Sequence, residues 1–364
     1  GEKVAVIGTS LSAIETVLTL TSDGQFVLND SAEITYAPSR NPRKFVLYSR
    51  RGLLPKVRGK MGRYKNKFLT IENVQRLSAV NHNGLSLEAM FQLLNSELQA
   101  AYGHPFEWAE VLNPGRRPAD LLEKYLKDAK NGDGPDGELI WQTVLHQAFP
   151  MARKFYLKLT LEDKKRFDKD YTTLFFTHAA MQPAINAEKL LALMKAGIAA
   201  VFKLGVDYQF LKNDITGCYE FIYQNSRGKL RRDVYRYVVN ARGQEKSLET
   251  NPSALVKNLL SSGAIQIEER RHGPITARPP QKGASDPAAG LHSYKTGSIW
   301  IDPHTHGIMK KGSDGRGTPS NAIYAVGAMT RGQIIDASMA HGIAQSTATI
   351  AQDWVDYLVQ IMPP

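Results

Sequence analysis

One cysteine, Cys218, stands among 364 residues. A single thiol excludes an internal disulfide framework, a multi-cysteine metal site and a C-x-x-C redox pair, and it fits a reducing cytoplasm. No run of about 18 uninterrupted apolar residues occurs, which argues against a membrane span. The start, Gly1-Glu-Lys-Val4, enters an apolar strand with no signal-peptide layout. A G-x-S-x-G elbow is missing as well, so no nucleophile triad can be argued. Acidic charge is scarce: 46 Lys and Arg against 35 Asp and Glu leave a net +11, a field that attracts nucleotide phosphates, nucleic acid or acidic partners. What is present is 42% hydrophobic content over a length that suggests two or three domains.

Texture along the chain gives the organisation. Lys3 to Ile7 is a short apolar β-rich run that stops at Gly8, after which Leu11, Ala13, Ile14, Val17 and Leu18 recur at helical spacing. A polar loop of about twenty residues follows, and Lys44-Phe-Val-Leu-Tyr48 reads as a second buried strand, so residues 1–80 predict a βαβ half of a Rossmann-like domain. Residues 81–197 are helical in period and read as an all-helical insertion, ending near Gly197. Alternating β-branched and aromatic residues in 198–272 predict the rest of the dinucleotide domain, 273–295 a linker, and 296–364 a closing segment. In that last segment Asn321 to Val326 reads as a strand, and an amphipathic helix runs from about Ala337 to Val359. The fold class expected is α/β, a Rossmann-like parallel sheet with a large helical insertion and a C-terminal β-α return.

The first chemical signal is Gly8-Thr9-Ser10-Leu11-Ser12-Ala13, between strand and helix, where a pyrophosphate would meet backbone N–H groups and the positive end of a helix. Gly8 permits the tight turn, Ser10 stands at the usual second glycine, and Ala13 fills the close-packing third position. A tight turn without a ligand is the alternative. The second signal is Ser49-Arg50-Arg51 at the next strand's exit, where NAD- and FAD-binding units place an acidic residue on the ribose. Two guanidiniums can instead grip a 2′-phosphate, which argues for NADP(H) over NAD; surface arginines at a strand exit are the bland alternative. Basic residues continue through Lys56, Arg58, Lys60, Arg63, Lys65 and Lys67. This stretch reads as a phosphate-binding or a merely solvated face, with nucleic acid the weaker reading because few aromatics are interleaved.

The run Val4 to Glu15, then Tyr48-Ser-Arg-Arg-Gly-Leu-Leu-Pro55, Val238-Val-Asn-Ala-Arg-Gly243 and Ile323-Tyr-Ala-Val-Gly-Ala-Met-Thr-Arg-Gly332 together resemble the bacterial FAD-NAD(P)-binding protein family, distantly similar to flavin-containing and N-hydroxylating monooxygenases. The resemblance implies an NADPH-dependent, monooxygenase-like flavoprotein oxidoreductase that passes electrons through FAD to oxygen or a small-molecule acceptor. It also implies an N-terminal FAD-binding βαβ unit that this chain lacks, with Ala241 and Gly243 at the crossing between dinucleotide domains. Gly327, Thr330, Arg331 and Gly332 would approach FAD, although Ala328 replaces the aspartate expected on the ribityl chain. The alternative is a truncated or non-enzymatic NADP(H)-binding partner subunit without flavin chemistry. A cytoplasmic protein, possible self-association or association with the absent FAD-binding portion, and no membrane partner complete the expectation. No catalytic side chain is assigned: His146, His178 and His341 are acid–base candidates by residue type alone, and the pair His304 and His306 does not amount to a metal site.

Overall fold

The computed structural model describes residues 2–80, 84–112, 115–243, 247–271, 293–312 and 317–361. Its strands are β1 (Lys3–Ile7), β2 (Gln25–Leu28), β3 (Ile34–Ala37), β4 (Lys44–Ser49), β5 (Ala199–Lys203), β6 (Gln209–Lys212), β7 (Tyr219–Gln224), β8 (Leu230–Tyr235), β9 (Tyr237–Asn240), β10 (Ile267–Arg271), β11 (Ser293–Ile299), β12 (Gly307–Lys311) and β13 (Gly317–Tyr324). The helices are α1 (Leu11–Leu20), α2 (Ile71–Val80), α3 (Leu87–Tyr102), α4 (Trp108–Leu112), α5 (Pro118–Asn131), α6 (Ile140–Lys158), α7 (Leu161–Arg166), α8 (Thr172–Ala179), α9 (Ala184–Lys195), α10 (Ala254–Ser261) and α11 (Ala340–Ile361). The chain divides into two compact units, one of residues 1–65, 98–146 and 171–243, the other of 66–97, 147–170 and 244–364. The helical stretch 81–197 is therefore shared between units, because its helices pack where their apolar stripes find partners rather than as one inserted block.

The first unit is a mixed α/β structure built on a four-stranded parallel sheet in the order β5-β4-β1-β9. Its inner strands are apolar on both faces, and the pleat sorts them: Val4, Val6, Phe45 and Leu47 join the helical face with Ile14, Val17, Leu122 and Leu190, while Ala5, Ile7, Val46 and Tyr48 face the other way. That second face packs against Phe221, Tyr223 and Tyr235 of the antiparallel meander β6-β7-β8. Tyr48 is the pivot: it stacks on Phe221 at 4.6 Å and donates its hydroxyl to Asp233 at 2.8 Å, with the Tyr235 hydroxyl 2.7 Å away. Burial pushes this phenol far above its ordinary pKa, so it stays a neutral donor. The expected polar loop after α1 contains the antiparallel hairpin β2–β3 instead. Its four-residue strands are too short, and too exposed, for alternation to register.

The second unit carries the antiparallel pairs β10–β11 and β12–β13 over a core of Val256, Ile265, Ile299, Ile301, Ile308 and Ile334. Glu97 anchors another part of it: the fully buried carboxylate accepts the backbone N–H groups of Lys67, Phe68 and Leu69 at 2.6–3.0 Å. The strand expected at Asn321–Val326 lies two to four residues earlier, as β13, and pairs antiparallel with β12. The final helix begins at Ala340, because turns closed by Ala337 N–H to the Ile334 carbonyl and Met339 N–H to the Asp336 carbonyl precede it. Of α11 only Gly342 and Ser346 are buried, while Ile343, Trp354, Val355, Leu358, Val359 and Ile361 are exposed. The expected linker 273–295 lies outside the described residues up to residue 292, and its last three residues already belong to β11. Among the described residues no helix is long and apolar enough to cross a membrane.

Candidate functional site

Because β1, β4, β5 and β9 run parallel, their carboxyl ends emerge at one edge of the sheet. The chain moves from β1 to β4 on one side and later places β9 on the other, so the end of β1 is the point where connections diverge, the place where open α/β sheets offer a crevice. Gly8 sits there with φ +133°, and a Cβ on it would lie 2.6 Å from the Ala241 carbonyl oxygen. The turn from β1 is thus closed against the end of β9, and the Gly8 N–H donates to the Tyr48 carbonyl at 2.7 Å. Ser10 precedes α1 in an extended conformation, its side chain makes no capping bond, and no acidic residue occupies the first turn. The positive end of the helix therefore keeps its field for an anion. Ala13 is fully buried and touches the same turn, as close packing at the third motif position requires.

Ser10 and Ser12 are exposed and Leu11 half-buried, so this part of the turn is open to a ligand. Thr9 and Ser49 behave differently. The buried Thr9 hydroxyl lies 2.9 Å from Ser49 Oγ and 2.6 Å from the Leu53 carbonyl, and the Gly52 N–H donates to Ser49 Oγ at 3.0 Å. These two side chains lock the turn after β1 to the exit of β4. What they position is the pair Arg50 and Arg51, the first exposed and the second half-buried, leaving the strand adjacent to β1. Backbone pairing continues to Arg50, with Leu204 N–H to the Ser49 carbonyl at 2.9 Å and Gly205 N–H to the Arg50 carbonyl at 3.0 Å, so the Arg50 backbone is held.

At the exit of β9 Ala241 is buried against Gly8, and Gly243 is exposed. Between them stands Arg242, in place of the threonine of the crossing segment, a residue to which the sequence assigns no ligand role. Arg242 is exposed at the same edge, its Nε donating to Asn240 Oδ1 at 3.0 Å. The available signal was an arginine where a dinucleotide crossing has a small residue. Arg50, Arg51 and Arg242 thus leave β4 and β9 at the carboxyl edge from which α1 also starts, a setting that attracts an anion. An exposed arginine and a helix start without a side-chain cap suit an anionic group.

The residues assigned to FAD belong to the second unit, and they fit less well. Gly327, at φ +97°, opens a short 3-10 turn, Ala328–Thr330, with open space beside it. Thr330 is 1% exposed and donates its hydroxyl to the Gly327 carbonyl at 2.9 Å. The Gly332 N–H donates to Ser298 Oγ at 2.7 Å. Arg331 is half-buried, and its carbonyl accepts from the Tyr156 hydroxyl at 3.2 Å. Thr330 and Gly332 spend their polar groups inside their own unit, so the set offers little to a flavin.

The histidines divide by environment. His146 is exposed. His341 lies 3.3 Å from Asp336 Oδ2, in a carboxylate that also holds Arg153 at 2.6 Å. His178 holds the Leu174 carbonyl through Nδ1 at 2.9 Å, and burial together with the nearby Lys56 ammonium pushes its pKa down to about 4. The folded chain keeps this imidazole neutral while the unfolded chain protonates it near pH 6.5. Stability should therefore fall as the pH drops from about 6.5 toward 4. Urea titrations across that window should show a shallower fall for His178→Gln; an unchanged slope would remove His178 as the cause. Among the described residues no three His, Cys, Asp or Glu side chains gather as a metal site.

No protein-family model matches the chain. It is similar to the uncharacterized protein YdhS of Escherichia coli (strain K12), 26% identical over 233 residues that cover 58% of this chain and 43% of that protein. The chain therefore spans less than half the length of this curated relative, whose printed description names no activity.

Proposed function

We propose that the chain binds NADP(H) at the carboxyl edge of its parallel sheet and serves as the nucleotide-holding part of an oxidoreductase. The observation that carries this reading is the pair Arg50 and Arg51 leaving the strand next to the Gly8 turn, where a carboxylate would select NAD. The turn from Ser10 to Ala13, at the end of α1 that lacks a side-chain cap, would hold the pyrophosphate, and Arg50 and Arg51 would hold the 2′-phosphate. Bound NADPH supplies a hydride. This chain's residues bind and orient the coenzyme and make its phosphate the recognised feature. Resemblance alone adds the flavoprotein, monooxygenase-like part of the reading, with FAD passing the electrons to oxygen or a small-molecule acceptor.

A double variant, Arg50→Ala with Arg51→Ala, should bind NADPH about 100-fold more weakly while NADH affinity changes little, given about 1.5–3 kcal/mol for each charge-assisted bond lost. Calorimetric titration with both coenzymes measures it. Equal affinities in the parent chain would reject the assignment. The second reading is an NADP(H)-binding partner subunit without flavin chemistry, favoured by the engaged Thr330 and Gly332. It predicts NADPH binding without any loss of 340 nm absorbance when FAD and oxygen are supplied, whereas the oxidoreductase reading predicts that loss once an FAD-binding portion is added.

A further inference from the structure

Between Val57 and Lys65 the chain forms no regular element beyond a single bridge, yet its backbone is held from Val57 to Gly62. The Arg58 N–H donates to the Gln182 carbonyl at 3.0 Å, the Gly59 N–H to Gln142 Oε1 at 2.9 Å and the Gly62 N–H to Thr143 Oγ1 at 2.8 Å. The Lys60 carbonyl accepts from the Leu139 N–H at 2.9 Å. Gln142 and Gln182 are fully buried and spend their amides on this strap, donating to the Val57 and Pro55 carbonyls. Glycine at 59 and 62 lets the strap lie flat: a Cβ there would come within 2.7 Å of the Leu139 and Glu138 side chains.

The outward face of this strap is uniform. Arg58, Lys60, Arg63 and Lys65 are its exposed residues, all four cationic, while Val57, Gly59, Met61, Gly62 and Tyr64 are buried or half-buried. None of the four forms an ion pair among the described residues; Lys60 donates to a carbonyl, that of Asp136, at 2.7 Å. Lys56, just before the strap, turns inward over the Tyr125 ring at 3.7 Å. Glu138, the carboxylate against the strap, is half-buried and accepts the Asp136 N–H at 2.9 Å. Loose surface lysines cost nothing to build. Here buried Gln142 and Gln182 hold the backbone at the start of the row, around Arg58, and further bonds hold Lys60 and Gly62, so ordering that backbone on binding carries a reduced entropy cost.

We propose that this row is a docking rail for an acidic polypeptide, a partner protein presenting alternate Asp or Glu along an extended segment. Side chains on one face of an extended chain recur every second residue, about every 6.6–6.8 Å, and the outward cations stand two residues apart in the pairs Arg58 with Lys60 and Arg63 with Lys65. Single-stranded nucleic acid would call for a stacking platform, and the strap's one aromatic, Tyr64, is half-buried and already engaged. The rail stands apart from the coenzyme reading, since it uses none of the residues given to NADP(H).

The test uses the full chain and fluorescence anisotropy of labelled poly-L-glutamate and labelled oligo(dT), each across a salt series. Three proteins are compared: the parent, a rail variant (R58E, K60E, R63E, K65E), and a control (K3E, K127E, K212E, K229E) whose four exposed lysines lie elsewhere and whose net charge matches the rail variant. Circular dichroism confirms that each remains folded. The parent should bind poly-L-glutamate with steep salt dependence, the rail variant at least about tenfold more weakly, and the control nearly as the parent. Equal losses in both variants would reduce the effect to net charge and overturn the rail, as would absence of parent binding. Tighter binding of oligo(dT), lost in the rail variant, would overturn the acidic-polypeptide class and give the row to nucleic acid.

Discussion

Replacing Asp168 by alanine should destabilise the second unit by about 3–5 kcal/mol, the usual cost of removing one partner from a buried ion pair. Lys164 is completely buried, and its ammonium is held by the Asp168 carboxylate four residues on and by the Tyr156 hydroxyl at 2.8 Å. Asp168 also accepts from Tyr156 at 2.7 Å and Tyr294 at 2.8 Å, so one carboxylate ties α6, α7 and β11 together. A π-helical turn, Phe167–Tyr171, follows α7 and contains this residue. Burial already pulls the Lys164 pKa below its ordinary value, and Asp168 is the nearest group opposing that pull. Without it the charge is stranded. Lys164→Met should cost less, because it removes the charge and leaves Asp168, which is partly exposed, with two phenol donors. The double variant should recover part of the loss of Asp168→Ala. Urea midpoints of the three variants measure this; a loss under about 1 kcal/mol for Asp168→Ala, the range of a surface pair, would sink the account.

Gly8→Ala should cost about 2–4 kcal/mol, combining a left-handed backbone strain of about 1–3 kcal/mol with overlap against a carbonyl. The neighbour is backbone, the Ala241 oxygen at 2.6 Å, so no rotamer change relieves it. Relief requires the β1 turn and the end of β9 to part, which moves the α1 N-terminus relative to Arg50. Coenzyme affinity should fall together with the thermal midpoint. Retention of both would show that the turn is looser than the contact implies.

How much of this was legible in the sequence depends on the range of the interactions. The βαβ start was readable because Val4 to Ile7 and Phe45 to Tyr48 are apolar on both faces and bounded by Gly8 and Ser49, a local pattern. The arginines at the β4 exit were found by position alone. Sequence could not show that Thr9 and Ser49 hydrogen-bond each other across forty residues. Nor could it show Lys164 inside the protein, since an i,i+4 Lys–Asp pair on a charged helix reads as solvated surface. The segment around Thr330 and Gly332 was placed by likeness to other chains, and likeness does not report where a hydroxyl points. The strap after Arg51 carries the same lesson in reverse: a basic run with no period is silent about the buried glutamines that hold it, because their partners are eighty and more residues away.

The last helix sets a physical property of the whole molecule. With glycine and serine as its only fully buried residues, α11 leaves tryptophan, valine and isoleucine side chains in water. At low ionic strength the net charge of +11 keeps copies apart. Added salt weakens that repulsion and, with sulfate, strengthens the attraction between oily surfaces. The stripe this helix leaves uncovered then adds, with Val206, Ile215 and Leu230, to the surface through which copies associate.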